Sequence, residues 1–66
     1  MVQLVEEFSN PQKRQLLRFT QIGLTNVVIV ETVELGTNVV LSSESITNTA
    51  YADLRQTLLL HGFSKT

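Results

Sequence analysis

Residues 26–35 are dominated by β-branched side chains, and valine or isoleucine fills four consecutive positions, 27 to 30. That pattern predicts a strand. Alternation sets Val27, Ile29, Val33 and Leu35 on one face, with Glu31 among them, and Val28, Val30, Thr32 and Glu34 on the other. Gly36, Thr37 and Asn38 then read as a three-residue turn in which Asn38 takes positive φ. This turn predicts a hairpin with Leu35 opposite Val39 and Val33 opposite Leu41. On this reading the repeated Thr-Asn-Val-Val has no functional meaning. Its first copy enters a strand and its second leaves a turn.

Upstream, the apolar residues Leu16, Leu17, Phe19 and Ile22 fit a helix over 11–22. Asn10 suits the N-cap, Pro11 the first helical position, and Gly23 the residue after the last turn, with Leu24 reaching back to Phe19. Arg14, Arg18 and Gln21 share the opposite side of that predicted helix. Downstream, 42–49 is a polar connection ending in a helix start. Thr47 caps and Ile46 staples onto Tyr51. Ala50, Tyr51, Leu54 and Leu58 form the apolar stripe, Gly62 ends the helix, and Phe63 folds back on Leu58. Leu59 and Leu60 fall off the stripe.

Val2 and Leu4 alternate like a strand, whereas Met1, Leu4, Val5 and Phe8 also fit a helix. The strand reading predicts a single small α+β domain over 1–66 in βαββα order. Its short sheet is mostly antiparallel, with helices packed on one face and a right-handed crossover making the first two strands parallel. The helix reading gives ααββα. The strand is preferred because a third strand supports a hairpin that is marginal alone.

Size changes the picture. A chain of 66 residues buries about 60% of its unfolded surface, the low end for a domain that folds alone. There is no cysteine and one histidine, so neither a disulfide framework nor a histidine cluster for zinc is expected. Oligomerisation is the remaining common source of stability. With two helices on one sheet face, Val28, Val30 and Val40 lie on the other, and Leu59 and Leu60 add a patch. These five residues are the expected interface of a homodimer or of docking on a larger protein.

Charge adds little. Five Lys and Arg stand against six Asp and Glu, a balance with no general attraction to nucleic acid or anionic membrane. Lys13, Arg14 and Arg18 are the candidate phosphate contacts of an alternative, nucleic-acid-binding reading, although no aromatic residue sits among them for base stacking. His61 reads as a complement to the helix dipole. The polar 42–49 segment precedes a helix start but lacks the glycine and lysine of a phosphate loop, so anion binding is the minor reading and a helix cap the major one. Glu31, aimed between Ile29 and Val33, reads first as a bend or bulge of the strand or a place at the sheet rim; buried, it needs a cation such as Arg18 or Arg55. The carboxylates show no paired or metal-ligating spacing. No catalytic residue, cofactor, metal or small-molecule ligand is expected, and a non-enzymatic interaction or regulatory protein is. The glutamates of the opening stretch do not suit a signal peptide, and no apolar run is long enough for a membrane span. A soluble, cytoplasmic chain is expected.

Overall fold

The computed structural model describes residues 2–66. Four consecutive strands, β1 (Val2–Asn10), β2 (Gln15–Ile22), β3 (Val27–Glu34) and β4 (Val40–Thr47), form an antiparallel meander. The helix α1 (Asn48–Leu60) then crosses one sheet face, and the two-residue β5 (Ser64–Lys65) pairs antiparallel with β1. The strand order is β4-β3-β2-β1-β5. This overturns the βαββα order and its parallel crossover, and the ααββα alternative with it. Among the described residues one helix, not two, packs on the sheet. Residues 2–10 are a strand, as preferred, while the part of the helical alternative that falls on Met1 lies outside the described residues.

The correction centres on residues 11–22. Asn10 does cap the backbone that follows: its Oδ1 accepts from the N–H groups of Gln12 at 3.1 Å and Lys13 at 3.3 Å. The structure it caps is a single turn, closed by the Arg14 N–H donating to the Pro11 carbonyl at 3.1 Å. Arg14 then takes a φ of 55°, which no helix tolerates, and the chain reverses. Beyond it Leu17 and Phe19 alternate with Arg18 and Thr20, the period of a strand. An Asn-Pro pair starts a helix or a turn with the same hydrogen bonds. Pairing with β1 on one side and β3 on the other decides between them.

The β3–β4 hairpin forms, but it pairs Thr32 with Ser42, Glu31 with Ser43 and Val30 with Glu44, so residues 42–47 are strand and not the polar connection expected there. Near the turn a bulge at Leu41 shifts the register by one, so Val33 faces Val40. The expected pairs of Leu35 with Val39 and Val33 with Leu41 are therefore not formed. The loop spans 35–38 and is closed by Glu34 N–H to the Val39 carbonyl at 2.9 Å and Asn38 N–H to the Glu34 carbonyl at 3.0 Å. Asn38 has the expected positive φ, 59°. The two Thr-Asn pairs do have different jobs. Asn26 Oδ1 accepts from the Asn48 N–H at the start of α1, at 3.1 Å, whereas Thr37 Oγ1 donates to Glu34 Oε1 inside the hairpin loop at 2.8 Å.

The core lies between α1 and the sheet. Phe8, Leu17, Phe19, Val28 and Val30 come from the strands, Leu58 from α1 and Phe63 from the segment after it. Ile46, Tyr51 and Leu54 pack at its margin. Thr47 caps α1 by accepting from the Ala50 N–H at 3.1 Å. At the far end the Phe63 N–H donates to the Leu58 carbonyl at 3.0 Å, and Gly62 between them has a φ of +86°. This left-handed residue turns Phe63 into the core, and Asn10 Nδ2 braces the same corner through the His61 carbonyl at 3.3 Å. Gly62→Val should therefore destabilise by about 1 kcal/mol or more, since a β-branched residue resists positive φ. A thermal melt of the variant checks this; an unchanged midpoint would show that the corner tolerates another conformation.

Candidate functional site

Two features stand out, one beneath the helix and one on the sheet face without a helix. The first is made by a bulge. Leu4 pairs with Thr20, but the register shifts at Val5, so Glu6 lies opposite Phe19 and turns under α1. There the Tyr51 hydroxyl donates to Glu6 Oε1. Arg55 Nε donates to the same oxygen at 2.8 Å, and Lys65 Nζ lies 3.4 Å from Oε2. The carboxylate thus ties β1, α1 and β5 together.

Burial opposes the charge on Glu6 and is the largest single influence. The hydrogen bonds from Tyr51 and Arg55, the Arg55 charge and the hydrogen bond from Lys65 together outweigh it and hold the carboxyl below its usual range. Burial and then the Glu6 carboxylate push the Tyr51 phenol well above its own usual range. The guanidinium also lies over the Phe8 ring, 5.7 Å from its centroid. Both oxygens of Glu6 are engaged and the residue is only 8% exposed, which suits a structural clasp rather than a group that meets substrate.

The second feature is the other face of the sheet. Cross-strand register places Leu4, Thr20, Ile29 and Ser45 in one row; past it Val27 pairs with Thr47, and Ile22 ends β2. At the opposite end Ser9, Leu16, Val33 and Val40 form a row. Between these apolar ends lies a charged row of Glu7, Arg18 and Glu31, one from each of β1, β2 and β3. Arg18 Nε is 2.9 Å from Glu7 Oε2, and Arg18 Nη1 is 3.9 Å from Glu31 Oε1. Leu16, Ile22, Val27 and Ile29 are half-buried by their neighbours, Leu4 is about half exposed, and Val33 is buried outside the core cluster. Leu24, in the β2–β3 turn beside Ile22, is fully exposed instead of packing on Phe19.

The residues expected from sequence are placed as follows. Val28 is 0% exposed and lies in the core with Val30, so neither belongs to a free surface. Val40 remains half exposed on the edge strand. Leu59 and Leu60 are exposed on α1, where with Gln56 they line an open cavity of about 360 Å³. The five do not form one interface. The error was which sheet face carries the helix. Val27, Ile29, Val33 and Leu35 are more numerous than Val28 and Val30, yet the latter share their face with Phe8, Leu17 and Phe19, and the aromatic bulk draws the helix.

Lys13, Arg14 and Arg18 do not share a helix face, because that helix does not exist. Lys13 Nζ lies 5.8 Å from the centroid of the Phe63 ring, Arg14 sits in the turn, and Arg18 is flanked by two carboxylates. Glu31 sits in regular register on an inner strand, which overturns the bend, bulge or rim expected there, and it faces Arg18, one of the two cations named for it. The residues missed were Leu4, Leu16 and Ile22. Leu16 and Ile22 also fit a helical period, which hides their alternation with Leu17 and Phe19.

No protein-family model matches the chain, and no curated protein or solved structure is significantly similar to it. The functional reading therefore rests on geometry.

Proposed function

We propose that this chain is a non-enzymatic interaction protein that pairs with a second copy of itself through the helix-free face of the sheet. The observation that carries the reading is the apolar content of that face, where Leu16, Ile22, Val27 and Ile29 remain part-exposed on the side of the sheet opposite α1, beside a Val33 already buried by its own chain. Antiparallel sheets often expose one face, but that face is then polar. Here it is apolar at both ends. Four strands about 4.8 Å apart and about seven residues long at ~3.3 Å each give roughly 450 Å² in projection. Two such faces with their side-chain relief bury roughly 1,000 Å², the lower bound for a specific interface. Closing them also offsets the small core of a unit with no disulfide. The engaged state of Glu6 supports the non-enzymatic part of the reading.

Sedimentation equilibrium tests it. At about 10 μM, where an interface of about 8 kcal/mol is mostly assembled, the wild type should have the mass of two chains. Ile29→Glu should have the mass of one chain and keep its helical circular-dichroism signal. A wild type with the mass of one chain would contradict the proposal. Val28 is unsuitable for this test, since a charge there unfolds the core.

A further inference from the structure

The charged row across the middle of the helix-free face restricts how two copies can meet, an argument that rests on the homodimer reading. Two sheets related by a twofold axis in their common plane have two simple arrangements. With the axis across the strands at the level of the row, each strand lies over its own copy. Arg18 then faces Arg18, Glu31 faces Glu31, and like charges are buried against each other. Moving that axis along the strands sets the row against Leu16 and Val33, or against Thr20 and Ile29, and leaves its charges without partners.

With the axis along the strands, midway between β2 and β3, levels are kept and strand order is reversed. β2 lies over β3 of the other chain, and β1 over β4. Leu16 comes to the level of the buried Val33, Thr20 to that of Ile29 and Arg18 to that of Glu31, each juxtaposition occurring twice. Within one chain Arg18 grips Glu7 at 2.9 Å and leaves Glu31 at 3.9 Å, beyond hydrogen-bond reach. Glu31 therefore has acceptor capacity facing out of the sheet.

We infer that two copies pair face to face about a twofold axis parallel to the strands and midway between β2 and β3, with Arg18 of each chain against Glu31 of the other. The ion pairs set the register of the dimer. The apolar rows supply most of its affinity, because desolvation cancels much of the gain from a buried pair.

Charge-steered mixing tests the arrangement. One variant carries Glu31→Arg. A second carries Arg18→Glu together with Glu7→Gln, which avoids three adjacent carboxylates. By sedimentation equilibrium each variant alone should have the mass of one chain at a concentration where the wild type has the mass of two, and their equal mixture should return to two. If the wild type dimerises but either variant alone also dimerises, or the mixture stays at one chain, the inference is overturned. A wild type with the mass of one chain overturns the homodimer reading itself, and the inference with it. Should the second variant fail to fold by circular dichroism, Glu31→Gln in the wild type takes its place. It should weaken the dimer roughly tenfold, and an unchanged dissociation constant would overturn the inference.

Discussion

Phe19→Ala should cost about 3–5 kcal/mol and bring the domain close to unfolding under ordinary conditions. Phe19 is fully buried at the centre of the only sheet face that carries a helix. Its ring meets Phe8 edge-on at 5.9 Å between centroids and lies 4.7 Å from the ring of Tyr51 on α1. Truncation removes apolar burial from both neighbours and leaves a cavity that rigid strands cannot close. A chain of 66 residues has a total stability on the order of 3–10 kcal/mol, so this one change consumes much of it. Urea denaturation followed by circular dichroism measures the loss. A loss under about 1 kcal/mol would mean that Phe19 does not anchor the helix.

Glu6→Ala should cost about 2 kcal/mol, short of the 3–5 kcal/mol seen for fully buried pairs. Arg55 and Lys65 are half exposed and regain water when the carboxylate is lost, whereas Tyr51 loses an acceptor in a partly buried site. The same carboxylate makes stability depend on pH. Its folded-state pKa is lowered from the ordinary 4.5, so the unfolded chain binds the proton more readily. The Glu6 contribution is therefore fully present above about pH 4.5 and is lost as pH falls through the lower, folded value. Thermal midpoints recorded from neutral to strongly acid pH should drop in the wild type, and the drop should be shallower in Glu6→Gln. Parallel acid limbs in the two proteins would show that Glu6 is not a titrating clasp.

What was legible from sequence was local. The helix α1 has the capping residue and the glycine terminus that its sequence announces, because each is a short-range hydrogen bond or a backbone preference. Of its announced stripe Tyr51, Leu54 and Leu58 pack while Ala50 is exposed. The hairpin after β3 was legible, but its two expected pairs were not, because of the bulge at Leu41, which no turn rule marks. The polar character of residues 42–47 hid the strand they form. Residues 11–22 were not legible, because Asn10 and Pro11 give the same signal for a helix and for a turn. The apolar positions of the segment also fit both periods. Choosing the strand requires β1 and β3 on either side, which is tertiary information. The candidate face followed the same logic. Four successive valines and isoleucines announced that both faces of β3 are apolar, but only the aromatic residues of the neighbouring strands decide which face the helix takes.

The central claim is that the apolar face left open by α1 is closed by a second copy of the chain. An isotope-filtered NOE experiment on an equal mixture of labelled and unlabelled protein observes contacts between chains alone. Interchain cross-peaks are expected between the methyl groups of Leu16 and Val33 and between those of Thr20 and Ile29, with none from Leu59 or Leu60. An absence of interchain cross-peaks, or cross-peaks confined to Leu59 and Leu60, would contradict the account.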